Sequence, residues 1–134
     1  MSYAVAAALQ AAVYQRLAGD DALAALTGGA IYDALPPGIL PGLYVALGPE
    51  AARDRSDGSG HGAEHDFTVS VVTDSAGFAP AKAAAAAISD ALVDAPLQLA
   101  RGRLLRLDFL QARAARNGEE RQIDMTFRAR VEDV

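Results

Sequence analysis

The sequence predicts an α+β fold, with two main helices packed on one face of a single antiparallel or mixed β-sheet. Near the C-terminus apolar residues alternate with polar or charged ones, a period of two that is typical of a half-buried strand. The alternating residues are Ile123, Met125, Phe127, Ala129 and Val131. Two alanine-rich segments instead repeat their apolar residues at helical spacing. The order helix, strand, strand, helix, strand, strand then places the helices on one face of the sheet.

The composition suits one domain, residues 1–134, and argues against several classes of protein. Without cysteine the chain cannot form disulfides, thiolate metal sites or a cysteine nucleophile. Its net charge of −5 argues against a general nucleic-acid binder, which is normally basic. No apolar run approaches the roughly 20 residues of a membrane span, and the N-terminus lacks the pattern of a signal peptide. We therefore expect the chain to be in the cytoplasm of the cell that makes it.

Both main helices are predicted from narrow apolar stripes surrounded by alanine. The stripe of the first helix recurs every four residues and consists of Val5, Leu9, Val13 and Leu17. Ser2 is a candidate N-cap for this helix. Asp20-Asp21 then precedes a short helical turn that Gly28-Gly29 stops. The second main helix is predicted from Pro80 to about Leu92, and its alanines allow a close approach to the sheet.

Several short segments before the C-terminal hairpin are predicted as strands. Ile31-Tyr32 is a brief one, and the alternating residues from Leu43 to Leu47 form the next, which is expected to end at Gly48-Pro49. The third strand is predicted from Phe67 to Thr73. Leu97 and Leu99 are candidates for a short edge strand before the hairpin.

Residues 50–64 are predicted to form a long mobile loop between the second and third of the main strands. This segment has no bulky apolar residue and is rich in glycine, serine and charge. Because it has nothing to bury, it cannot offset the entropy of ordering. Loops of this length within a domain are usually functional or disordered.

The C-terminal segment predicts a β-hairpin with one apolar and one charged face. A three-residue loop, Arg116-Asn117-Gly118, with Gly118 left-handed, keeps charge off the apolar face. In this register Leu107 faces Phe127 and Phe109 faces Met125. All four side chains are then expected to be buried.

Two short motifs superficially match known chemistry. His61-Gly62-Ala63-Glu64-His65 matches the inverted zinc-protease string, but the neighbouring glycines disfavour the helix that zinc binding requires. Gly58 to Gly62 resembles a phosphate cradle, yet a strand follows where a helix is needed. We therefore predict no catalytic, cofactor-binding or metal-binding residues and no enzymatic activity, and we expect both histidines to tolerate substitution like surface residues.

The charged face of the hairpin and the long loop are predicted to meet another subunit or partner. In the predicted register Arg106 lies opposite Arg128, with acidic residues close enough to offset them. An ordinary solvated surface and a nucleic-acid face are the alternatives. The predicted interface consists of Arg53, Asp54, Arg55, Asp57, Glu64, Arg106, Asp108, Asp124, Arg128 and Arg130.

The order and spacing of four strings resemble the small phage tail-terminator and tail-completion proteins, which include a prophage and gene-transfer-agent family. One string starts at Asp21 and runs to Asp33, and the second is the proline-led strand from Leu40 to Gly48. The third is the glycine-rich loop leading into residues 67–77, where Val72 stands in place of the tryptophan common in the family. The fourth comprises Asn117-Gly118 and the strand from Met125 to Glu132.

This resemblance implies a structural virion role without cofactors. Copies would assemble into a ring, typically a hexamer, that caps the tail tube and joins it to the head or neck. The implied partners are further copies of the chain, the tail-tube protein and connector or neck proteins. DNA would pass through the ring without sequence-specific binding. The implied location is the host cytoplasm during assembly and then the particle tail. A small monomeric ligand-binding or enzymatic α+β domain is the alternative.

Overall fold

Three helices cover one face of a five-stranded mixed sheet in the computed structural model, which describes residues 3–58 and 60–133. The helices are α1 (Ala6–Ala18), α2 (Asp21–Thr27) and α3 (Ala79–Leu92). The strands are β1 (Ile31–Tyr32), β2 (Leu43–Asp54), β3 (His61–Thr73), β4 (Arg103–Asn117) and β5 (Glu120–Asp133). Their order across the sheet is β1-β2-β3-β5-β4, with β1 parallel to β2 and the other pairs antiparallel. The predicted α+β fold is confirmed.

The helices form where the apolar spacing predicts them. Leu9, Val13 and Leu17 of α1 are buried, and α1 begins after Val5, which provides no side-chain cap. The predicted cap, Ser2, lies outside the described residues. Asp20 caps α2 by accepting a hydrogen bond from the Leu23 N–H at 2.9 Å. Each buried face points at the sheet, so the helices and one face of the sheet enclose a single main core.

Alanine in α3 brings this helix close to the sheet, as the sequence predicts. Ala81 and Ala84 are fully buried together with Ile88 and Leu92. Beneath the helices, Phe127 is fully buried and stacks on Phe67, with ring centroids 5.7 Å apart. Among the described residues, no helix is long and apolar enough to cross a membrane.

The predicted register of the C-terminal hairpin is wrong by two residues. Leu107 lies opposite Ala129, and Phe109 lies opposite Phe127. The loop is Gly118-Glu119 rather than residues 116–118, although Gly118 has the predicted positive φ. Shifts in register at Leu105 and Leu110 keep Leu107 and Phe109 of β4 on the helix side. A longer turn, which the sequence pattern had suggested for this purpose, is not needed.

Burial on the hairpin follows the prediction at three of the four residues that were expected to be buried. Met125 and Phe127 of β5 are buried, which confirms that prediction. On β4 Leu107 is buried, but Phe109 is 43% exposed because β4 is at the edge of the sheet. The burial predicted for Phe109 is therefore wrong.

The loop predicted for residues 50–64 is shorter in the structure, because strands occupy both of its ends. Strand β2 continues through Gly48-Pro49 with a bulge and pairs from Glu50 to Asp54 with Phe67 to Ala63. The connection is thus limited to residues 55–60, of which 59 lies outside the described part. Alanine, glycine and charged residues hide the strand pattern here, and backbone pairing does not require bulky side chains. The mobility of this connection stays a prediction. Residues 97–99, a predicted edge strand, form no strand.

A segment joining β1 to β2, residues 33–42, lies at the β1 side of the sheet; we call it the connector. Leu40 of the connector packs with Ala30, Tyr44 and Val72 in a second, smaller apolar cluster. Tyr44 and Val72 are cross-strand partners on the face opposite to the helices. The connector therefore covers one end of the outer face of the sheet and leaves the rest open.

Candidate interaction surface

Four charged residues interlock on the outer face of the sheet, and we call them the charged lattice: Arg53, Glu64, Asp66 and Arg128. Arg53 Nη2 lies 2.6 Å from Asp66 Oδ2, and Arg53 Nε lies 3.1 Å from Glu64 Oε1. Arg128 donates from Nε and Nη2 to the two oxygens of Asp66 at 2.8 and 3.0 Å. The lattice thus ties β2, β3 and β5 together by side chains as well as backbone.

Asp66 is at the centre of the charged lattice, and its carboxyl group is strongly perturbed. Hydrogen bonds from Arg128, with a further one from Arg53, lower the pKa of Asp66 from 3.8 to about 2, against the opposing effect of burial. The same contact raises the pKa of Arg128. Asp66 was not predicted from sequence, because its partner Arg128 is recognisable only once the β3–β5 register is known.

Two more arginines of the predicted interface lie beside the charged lattice. Arg55 Nε lies 3.3 Å from Glu64 Oε2. Arg130 Nη2 donates to the Arg55 carbonyl oxygen at 3.3 Å, while its buried Nε has no partner among the described residues. The structure therefore brings Arg53, Arg55, Glu64, Arg128 and Arg130 together on one face. The sequence pattern instead placed the first three of these residues in a mobile loop.

Arg106 and Asp108 form a separate, exposed pair on β4. Arg106 Nε lies 2.6 Å from Asp108 Oδ2, and the Arg106 side chain is 73% exposed. The predicted opposition of Arg106 and Arg128 is wrong, because Arg130 lies opposite Arg106 and Arg128 lies opposite Asp108. The cause is the shifted register of the hairpin.

The remaining predicted interface residues are not part of the charged lattice. Asp124 lies farther along β5, where it accepts hydrogen bonds from Ser70 Oγ at 2.6 Å and Gln122 Nε2 at 2.8 Å. Asp54 ends β2 and accepts from Ser56, which lowers the pKa of its carboxyl. Asp57 is in the β2–β3 connection, where its backbone pairs with Gly60.

A polar cluster around the buried His65 on the helix side was missed by sequence reasoning. His65 is fully buried, and its Nδ1 lies 3.1 Å from Glu50 Oε2. The Tyr3 hydroxyl donates to the other oxygen of Glu50, which raises the pKa of Tyr3, and the Tyr3 ring contacts the His65 ring. His65, Phe67 and Val69 are two residues apart along β3 and therefore share one face of the strand. This spacing is the signal that could have placed His65 in the core. The surface position expected for His65 is wrong.

The string from His61 to His65 is part of β3, so its two histidines are roughly 13 Å apart along an extended strand. His61 is exposed and His65 is buried. Among the described residues, no group of three or more His, Cys, Asp or Glu side chains is arranged to hold a metal ion.

An open groove lies beside α1. It is lined by alanines of α1 and by Tyr3, Gln10, Asp33 and Glu50. Gln10 donates to Asp33, and Tyr3 donates to Glu50, so both carboxylates in the groove already have partners. Nothing in this geometry singles out a nucleophile or a general acid.

Comparison with protein families places this β-sheet domain among the phage tail proteins. Residues 11–132 match the family described as tail completion protein gp17, and the chain belongs to that family. It is therefore a structural tail component. A search of curated proteins gave no match.

A solved structure agrees with the family assignment. A chain of the "Virion of native gene transfer agent (GTA) particle" is 65% identical, with a TM-score of 0.93. The match covers 98% of this chain and 99% of that one. The sequence-based resemblance to tail-completion proteins is confirmed.

Proposed function

We propose that this protein assembles into a ring, a hexamer by family resemblance, that caps the tail tube and joins it to the head side of a phage or gene-transfer-agent particle. The observation that carries the proposal is the near-complete match, at 65% identity, to a chain of a gene-transfer-agent virion. Its partners are further copies of itself, the tail-tube protein and neck or connector proteins. DNA crosses the ring without sequence-specific contacts, and the role is structural rather than enzymatic. Assembly takes place in the host cytoplasm before the protein enters the particle.

The outer face of the sheet supplies charged contacts in this role. The lattice carboxylates and arginines neutralise one another, so this face is nearly balanced in charge. The exposed margin of this face carries Arg106, Arg55 and the β2–β3 connection. A neighbouring subunit or tail protein can reach these groups. Exposed charge pairs contribute only about 0–1 kcal/mol each, so these contacts are sensitive to salt.

Removal of the protein tests the proposed role directly. Particles produced without this chain are expected to have tails of irregular length or tails detached from heads, seen by electron microscopy. Native mass spectrometry of the purified chain is expected to show a closed oligomer, and normal tails in the absence of the chain would refute the role.

Changes at the margin test the charged contacts without disturbing the charged lattice. Arg106→Glu is preferable to changes at Arg128, because Arg106 is exposed and pairs with Asp108 while Arg128 holds Asp66. We expect Arg106→Glu, or replacement of residues 55–60 by a Gly-Ser linker of equal length, to reduce assembly while the monomer stays folded. Ala86→Asp, on the exposed face of α3, is the control.

A monomeric binding or enzymatic domain is the competing function. The groove beside α1 offers no free carboxylate, which favours the structural role. A purified chain that remains monomeric and is missing from particles would favour the competing function.

A further inference from the structure

Two opposite sides of the sheet expose large apolar side chains. Of the eight such residues in the described part of the chain, three are on β4 and two on the connector. On β4, Leu105, Phe109 and Leu110 are 48%, 43% and 40% exposed. On the connector, Leu35 is 53% exposed and Ile39 is completely exposed. The β4 side chains flank the sheet edge on both faces, because Phe109 lies opposite Phe127 on the helix side while Leu105 borders Arg130 on the outer face. Exposed apolar side chains at an open edge are typical of surfaces that another protein covers.

The outer edge of β4 also has unpaired backbone groups. Strand β4 pairs with β5 on one side only. In the described part of the chain, one backbone hydrogen bond reaches its other side, from the Asp94 N–H to the Leu107 oxygen at 3.3 Å. The edge from Asp108 to Asn117 is therefore open along most of its length. Such an edge is a ready site for pairing with another chain unless it is protected.

The edge of β4 could pair with β4 of a second copy or with the connector side of a second copy, and charge distinguishes between these two arrangements. Strand β4 carries four arginines and one aspartate, a net charge of +3. Residues 20–54 include α2 with its cap, β1, the connector and β2, and they carry five acidic residues and one arginine, a net of −4. Asp33 is the acidic residue of the connector itself. Pairing β4 with a second β4 would bring like charges together, whereas pairing it with the connector side joins opposite charges.

We propose that β4 of one copy binds the connector of the next copy, with Leu105, Phe109 and Leu110 packed against Leu35 and Ile39. The contact is head-to-tail because its two halves are different surfaces on opposite sides of the sheet. A contact of this kind repeats around a ring and closes when the rotation allows. The inference rests on the proposed ring and identifies the surfaces that build it.

Cysteine cross-linking in assembled particles tests this contact. The sequence has no cysteine, so the introduced thiols are the only ones in this chain. Ile39→Cys is combined in turn with Leu105→Cys, Phe109→Cys and Leu110→Cys, and particles are treated with a short bismaleimide. At least one double variant is expected to give a ladder of dimers, trimers and larger multimers of this chain up to the full ring.

Each single-cysteine variant is the matched control and is expected to give no ladder. A dimer from Leu110→Cys alone would show β4 paired with β4 and overturn the proposal. Normal particles whose double variants give no cross-linked product would also overturn it, while leaving the proposed ring role intact. Absence of the wild-type chain from particle tails would instead refute the proposed function.

Discussion

Strands β5 and β4 lie side by side, yet β5 buries five alternating apolar residues and β4 buries only Leu107. Both have the same alternating pattern in sequence. The difference is position, because β5 lies between β3 and β4, while no strand of the described chain pairs with the outer side of β4. Alternation thus reports which side chains share a face, whereas the neighbouring strands and helices decide whether that face is covered.

The largest expected effect compares a phenylalanine on each strand. Phe127→Ala should lower the free energy of unfolding by about 3–5 kcal/mol, the usual cost at a fully buried site. Phe109→Ala should cost about 1 kcal/mol or less, because Phe109 is half exposed and contacts the edge of the Phe127 ring. Urea denaturation of the monomeric chain measures both. Equal losses would show that the β4 margin is covered even in the monomer.

Charged residues sharpen the same comparison on the outer face. Arg128→Ala on β5 should cost about 1–2 kcal/mol, since it leaves the half-buried Asp66 without the two hydrogen bonds that Arg128 donates. Arg106→Ala on β4 should change stability by about 0.5 kcal/mol or less, as exposed positions usually do. Thermal unfolding of the two variants checks this. A larger loss of stability in Arg106→Ala would mean that the Arg106–Asp108 pair contributes more to the stability of the monomer than the charged lattice does.

Acid should weaken the lattice in a defined range of pH. Because the pKa of Asp66 is lowered from 3.8 to about 2, its ionised form stabilises the fold fully above the ordinary value. This stabilisation is lost as pH falls through the range between those two values. We expect the difference in stability between wild type and Asp66→Asn to shrink as the pH falls from about 6 to about 2. A difference that is constant with pH would mean that Asp66 is not the titrating group.

The smallest effect on the monomer is expected at the proposed head-to-tail contact. Ile39→Asp and Leu110→Asp should each change the free energy of unfolding by about 0.5 kcal/mol or less, because both side chains are exposed. Each variant alone should fail to form multimers where wild type does. A mixture of the two should form heterodimers and nothing larger, because only one contact is intact. Analytical ultracentrifugation distinguishes this outcome from a mixture that remains monomeric.

Sequence reasoning predicted the faces of β5 and the helices because their burial depends on local periodicity. It could not predict the register of β4, since nothing in Leu105 or Leu110 identifies them as the residues at which pairing shifts. The extension of β2 and β3 past Gly48 was missed because alanine, glycine and charge carry no apolar alternation there. Asp66 became recognisable only when the register brought it opposite Arg128.

The ladder between β3 and β5 has a consequence for how the chain folds. Strands β2 and β3 form one hairpin and β4 and β5 another, each closed by a short connection. The ladder that docks them begins at Thr73 with Arg121 and ends at His61 with Asp133, contacts far apart in sequence. Loop closure makes such contacts slow to form, so docking of the two hairpins is expected to limit the folding rate. Val71→Ala, in this ladder, should therefore slow refolding in stopped-flow experiments more than Ala114→Gly near the local turn.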